Sequence, residues 1–163
     1  MEKHEQQGDP VPPGCFRLEE LNVLQSFEKL QVNDVFYYVW HYQPEPGVAP
    51  HRFLYAVEMV FDTGNSLLIS SGEDSEAIRL LTADDLADTA MRLQRLHGKP
   101  VLQRFPASIQ PVWRDITGKI LDGIRLSRNE AGLFLNDALM FDFGEQRILV
   151  RLSEREGLLA GGY

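Results

Sequence analysis

The chain has 163 residues and a formal net charge of -8, from 24 Asp and Glu against 16 Lys and Arg. A chain of this length buries roughly 70% of its unfolded surface in a single core, so neither a metal nor a disulfide is needed for folding. The acidic balance, with no segregated basic tract, disfavours nucleic acid and anionic membrane surfaces as partners.

The lone cysteine, Cys15, has no internal partner for a bridge, which fits a reducing compartment. Neither an apolar leader segment nor a run of about 20 apolar residues is present, so the reading is a cytoplasmic, non-membrane protein. Residues 1–14 are polar and carry Gly8, Pro10, Pro12, Pro13 and Gly14, a composition expected of a disordered tail. Residues 15–163 then form one globular domain.

From Leu18, apolar residues Leu21, Leu24, Phe27 and Leu30 recur every three positions, which predicts a short N-terminal helical segment. Val35 to Tyr42 is dense in β-branched and aromatic residues. Phe36, Tyr38, Trp40 and Tyr42 fall on one face, and Val35, Tyr37 and Val39 on the other, as in an interior strand. The proline-rich stretch 43–50 breaks it. In the next strand Phe53, Tyr55, Val57, Met59 and Phe61 are expected on one face, before a turn at Asp62-Thr63-Gly64-Asn65 and a strand through Leu67-Leu68-Ile69.

A helix over 83–97 has the clearest boundaries. Thr82 is an N-cap, Asp85 completes a capping box, and Gly98 and Pro100 end it. Leu86, Ala90 and Leu93 make its buried stripe. Residues 99–114 read as an extended connection. Beyond it a strand around Ile120, Ile124 and Leu126, a turn at 127–132, a long strand Leu133–Phe143 and a half-exposed strand through Ile148, Val150 and Leu152 are expected.

Two phrases recur at nearly equal intervals. Val23-Leu24-Gln25-Ser26-Phe27 returns as Val101-Leu102-Gln103-Arg104-Phe105, and Phe61-Asp62-Thr63-Gly64 as Phe141-Asp142-Phe143-Gly144. Face parity agrees with a repeat, since Tyr55, Met59 and Phe61 map onto Leu135, Leu139 and Phe141, with Val57 against Asp137 as the exception. The expected fold is therefore α+β, antiparallel units arising from internal duplication of two β-meanders, with halves at 15–98 and 99–160.

The segment around Asp62-Thr63-Gly64 resembles the active-site strand of aspartic proteases, in which two Asp-Thr/Ser-Gly copies share a proton. The chain departs from that pattern at Asn65 and at Phe143, which replaces the hydroxyl residue of the second copy. Both aspartates are therefore expected at exposed, well-separated hairpin turns. His41 and His51 flank the proline-rich loop, but two imidazoles are too few for a metal site, and no cofactor is expected. Tyr38, Trp40, Tyr42, His41 and His51 are candidates for lining a groove.

Between positions 73 and 88, Glu73, Asp74, Glu76, Asp84, Asp85 and Asp88 are opposed only by Arg79. Such a cluster suits a basic protein partner. No nucleophile–base pair, phosphate loop or dinucleotide fingerprint is present. The function expected is non-catalytic protein–protein interaction, in the manner of an acidic inhibitor or immunity protein. The alternative is ligand binding or hydrolysis in a groove between the halves.

Overall fold

The computed structural model describes residues 11–42, 46–49 and 51–163. It is a mixed α+β protein in which the described residues form a nine-stranded curled sheet and three helices. In chain order the elements are α1 (Leu18–Ser26), β1 (Val32–Tyr42), β2 (His51–Phe61), β3 (Ser66–Ser70), β4 (Arg79–Leu81) and α2 (Ala83–His97). They continue with β5 (Leu102–Pro106), α3 (Pro111–Arg114), β6 (Gly123–Arg125), β7 (Ala138–Asp142), β8 (Arg147–Ser153) and β9 (Gly157–Gly162).

The strands run β4-β3-β2-β9-β8-β7-β6, with β1 on the other edge of β2 and β5 outside β1. Among the described residues all strand pairings are antiparallel except a single parallel contact, Leu54 with Gly157, between β2 and β9. The stretch leading into β6 returns to the start of β1. Val32 N donates to Lys119 O at 2.9 Å, Leu121 N to Leu30 O at 2.9 Å and Gly118 N to Val32 O at 2.7 Å. The hydrogen-bond circuit β1-β2-β9-β8-β7-β6 thus closes on itself, through one bridge between β2 and β9 and through the 118–121 segment beside the start of β1.

The main core fills this curl. Val32 and Val35 of β1, Val57, Met59 and Phe61 of β2, Leu139 and Phe141 of β7 and Ile148 and Val150 of β8 are all buried in it. Leu24 from α1 and Trp113 from α3 join the same cluster, and Trp113 Nε1 donates to Tyr37 Oη at 2.6 Å. A second, smaller cluster lies on the other face of the sheet, where Phe53, Tyr55, Ala56 and Leu68 meet Leu86 of α2.

A bulge creates this division. Tyr38 pairs with Ala56 but Val39 pairs with Leu54, leaving Tyr55 as an extra residue in β2. The single apolar face expected for Phe53 to Phe61 is therefore split: Val57, Met59 and Phe61 enter the main core, whereas Phe53 and Tyr55 turn towards α2. β1 keeps the expected parity, with Val35 and Tyr37 inward and Tyr38 and Trp40 outward. It is also an interior strand, flanked by β2 and β5.

α2 begins and ends where its signals lie. Thr82 accepts from Asp85 N at 3.0 Å, Asp85 accepts from Thr82 N at 3.1 Å, and Gly98 takes φ 73°. The connection expected over 99–114 is not featureless. Leu102–Pro106 pairs with β1, and Pro111 occupies the first turn of α3. The long strand expected from Leu133 shortens to Ala138–Asp142, preceded by isolated bridges of Phe134 to Arg128 and Leu135 to Cys15.

Internal duplication is not shown. Val23–Phe27 lies on and just beyond α1, whereas most of Val101–Phe105 lies in β5, so two phrases that match at four of five positions follow unlike backbone paths. The second phrase does mark similar local structure, since Phe61 ends β2 and Phe141 lies near the end of β7, each before a hairpin with a positive-φ glycine. Of the expected tail, residues 1–10 lie outside the described residues. Pro13 O accepts from Asn136 Nδ2 at 2.9 Å, and Cys15 is buried. Among the described residues no helix is long and apolar enough to cross a membrane.

Candidate functional site: a charged pair in a cleft beneath the long helix

β2 is apolar along most of its length, and Glu58 is its one acidic residue. Strand alternation sends Val57 and Met59 into the main core and turns Glu58 towards α2, where it is only 9% exposed. A carboxylate in that position needs partners, because desolvating an unpaired charge is costly. Neighbouring strands provide them. Tyr38 of β1 lies directly across from Arg104 of β5, and both reach Glu58.

Tyr38 Oη donates to Glu58 Oε1 at 2.8 Å, and Arg104 donates to the same oxygen through Nη2 at 3.1 Å and Nε at 3.3 Å. The guanidinium also lies 3.6 Å from the centroid of the Phe36 ring. Burial pushes the Tyr38 hydroxyl above its ordinary tyrosine value and the Glu58 carboxylate adds to the shift, with Arg104 opposing. Burial works against the Arg104 charge, and its contacts with Glu58 and Tyr38 outweigh that effect.

α2 roofs this group without sealing it. Ala83, Ala87 and Ala90, together with Leu86, face Leu68 and Leu102 across a cavity of about 280 Å³ that also includes Tyr38, Glu58 and Arg104 in its walls. The small methyl groups leave space between helix and sheet. The result is an apolar cleft with a charge-compensated polar group in one wall, an arrangement suited to orienting a small ligand.

The groove candidates are dispersed by the same register. Tyr38 lines the cleft, and Trp40 packs edge-on against Phe53 on the same sheet face. The Tyr42 side chain lies outside what the structure describes. His41 pairs with Arg52 and Tyr42 with His51, so strand alternation places the two histidines on opposite faces. His51 Nε2 contacts the Arg155 carbonyl, and the His41 ring meets Phe105 edge to face. Among the described residues no group of three or more His, Cys, Asp and Glu could hold a metal ion.

All six carboxylates between 73 and 88 are exposed. Glu73 pairs with Arg92 of α2, which ties the 71–76 turn to the helix flank, and Asp85 is committed to the capping box. Arg79 shares a cavity lining with Asp74 and Glu76, but its hydrogen bonds go elsewhere: it donates to Glu20 Oε1 at 3.0 Å, Cys15 O at 3.3 Å and Pro13 O at 2.9 Å.

Asp62 sits exposed in the β2–β3 turn. Asp142 corrects the expectation of an exposed turn residue. It is 9% exposed and accepts from Gly144 N at 2.9 Å and Arg125 Nη2 at 2.9 Å, with Arg147 Nε 3.7 Å away. The Gly144 amide, helped by Arg125 and Arg147, holds its carboxyl below the usual range. It serves as a hairpin anchor.

Glu58 and Arg104 escaped the sequence reading. A lone acid within an apolar strand was the available signal for Glu58; Arg104 depends on the long-range pairing of β5 with β1. Comparison with known proteins finds no matching family model, no matching curated protein and no matching solved structure.

Proposed function

We propose that this is a non-catalytic, cytosolic interaction protein that presents its acidic 73–88 surface to a basic protein, as an inhibitor or immunity protein does. The observation that carries the reading is the pairing of Arg79 with Glu20. The only cation within the segment is engaged there, and among the described residues the exposed Asp74, Glu76, Asp84 and Asp88 form no ion pair, which leaves their charge for an external partner. Charge of one sign on a protein of net charge -8 accelerates encounter with an oppositely charged surface.

The test is affinity capture followed by association kinetics over a salt series. A basic partner is expected, and its association rate should fall with salt. Replacing Asp74→Asn, Glu76→Gln, Asp84→Asn and Asp88→Asn together should slow association strongly while leaving the dissociation rate less changed. An acidic partner, or a rate indifferent to both salt and the substitutions, overturns the reading.

The small-ligand alternative is favoured by a different observation, the cleft beneath α2. None of Asp62, Asp142, His41 and His51 lines it. Hydrolysis through those residues therefore has no support from the cleft.

A further inference from the structure

We propose that the cleft between α2 and the sheet binds a zwitterionic α-amino acid with an apolar side chain. Its ammonium would sit on the free oxygen of Glu58, its carboxylate on Arg104, and its side chain among Leu68, Leu86 and the alanines of α2. The inference stands on the cleft alone and is independent of the acidic surface.

Three observations carry it. First, the contacts to Glu58 are one-sided: Tyr38 and both Arg104 nitrogens converge on Oε1, and Oε2 has no hydrogen-bond partner among the described residues. The Tyr38 and Arg104 bonds fix the carboxylate plane, so that the second oxygen is a preoriented acceptor. Second, Arg104 is only half committed. Its Nε and Nη2 are engaged, its Nη1 has no hydrogen-bond partner among the described residues, and its side chain is 48% exposed. Third, α2 places Ala83, Ala87 and Ala90 over this pair, where protein interiors are otherwise close-packed, and leaves about 280 Å³ of space.

Charge selects the class of ligand. Glu58 repels a simple carboxylic acid and Arg104 repels a simple amine, because in a partly buried site each unmatched charge meets a like charge at short range. A zwitterion matches both groups at once. The apolar remainder of the cavity then favours an aliphatic or aromatic side chain over a polar one. The volume of about 280 Å³ falls just below the roughly 300–1,000 Å³ typical of ligand sites, which limits the ligand to about the size of a single amino acid.

The experiment is titration of the full chain with L-leucine, followed by amide NMR shifts. Three analogues each remove one element of the match: leucinamide lacks the carboxylate, 4-methylpentanoate lacks the ammonium, and glycine lacks the side chain. Saturable shifts clustered at Glu58, Leu86 and Leu102 are expected with leucine, and each analogue should bind at least about tenfold more weakly. Ala87→Leu fills the cleft from an exposed helix position and should abolish the shifts in a protein with unchanged circular dichroism. Glu58→Gln should weaken leucine at least about tenfold and narrow the gap between leucine and 4-methylpentanoate. Absence of saturable shifts with leucine overturns the proposal. So does leucinamide or 4-methylpentanoate binding as tightly as leucine, or binding that survives Ala87→Leu. If Glu58→Gln does not fold, the analogue series and Ala87→Leu still decide.

Discussion

Tyr38 and Glu58 are diagonal neighbours on adjacent strands: the register pairs Tyr38 with Ala56 and Glu58 with Phe36, yet the Tyr38 hydroxyl reaches Glu58 Oε1 at 2.8 Å. This reach lets a strand of otherwise apolar outlook carry a carboxylate. It also makes the hydroxyl an accountable part of stability. Tyr38→Phe should cost about 1–2 kcal/mol in urea unfolding, since it removes a hydrogen bond to a charged acceptor. Loss of less than a few tenths would mean that Arg104 alone satisfies Glu58.

The same hydroxyl should give the protein an alkaline limit. Tyr37 and Tyr38 both titrate above the ordinary tyrosine value in the folded chain, chiefly through burial, with Glu58 adding to the effect at Tyr38 and Trp113 opposing it at Tyr37. The folded state therefore retains phenolic protons that the unfolded chain releases. Their contribution is intact below about pH 10 and declines as pH rises through the folded values. Unfolding free energies from pH 8 to pH 11 should fall at the upper end, with a shallower slope in Tyr38→Phe.

Members of the acidic surface should separate into structural and non-structural groups. Thr82→Ala or Asp85→Ala breaks the reciprocal cap of α2 and should cost about 1 kcal/mol. Asp74→Asn and Asp88→Asn should stay within about 0.5 kcal/mol, because exposed charges away from a cap contribute little. Thermal melts of the single variants check this. A large loss at Asp88 would assign it to folding and weaken its place in partner recognition.

What could be read from the sequence was local. The bounds of α2 follow from Thr82, Asp85 and Gly98, which act on their own helix ends, and β1 alternates as its residues dictate. The bulge at Tyr55 carried no comparable signal, because it is a property of the pairing between β1 and β2. The repeated phrases do not establish a duplication, for a related reason. Five residues do not fix a backbone path, and Leu24 packs from α1 into the main core whereas Leu102 joins β5 against β1. The cleft was invisible at both ends, since Tyr38, Glu58 and Arg104 meet only through strand pairing.

Acid should loosen the fold through Glu20 and Asp142. Burial alone would raise the Glu20 carboxyl, but hydrogen bonds from Arg17 and Leu80 and the charge of Arg79 together hold it low; Asp142 is held low by Gly144, Arg125 and Arg147. With folded values below unfolded ones, their stabilisation is present above the ordinary carboxylate range. It is lost as pH falls through the folded values, below about pH 4. Glu20→Gln should cost about 2 kcal/mol at neutral pH and flatten the acid limb of the stability profile. An unchanged acid limb in Glu20→Gln and Asp142→Asn would place the acid-sensitive groups elsewhere.

The closure of the curl rests on a glycine, and this yields the sharpest stability test. Gly157 forms the one parallel contact between β2 and β9, with φ 78°, and a Cβ there would fall within contact distance of the Leu54 carbonyl oxygen and 3.0 Å from the Phe53 ring. Gly64 also has positive φ, at 86°, but its Cβ direction is open. Gly64→Ala should therefore cost only the backbone strain, about 1–2 kcal/mol. Gly157→Ala adds a clash with backbone that cannot move without parting β9 from β2, so a loss of about 3 kcal/mol or more is expected. Matched urea melts of the two variants measure the difference. Equal losses would show that the β2–β9 junction yields easily, and that the circuit is held instead by the bonds of Leu30 and Val32 to the 118–121 segment.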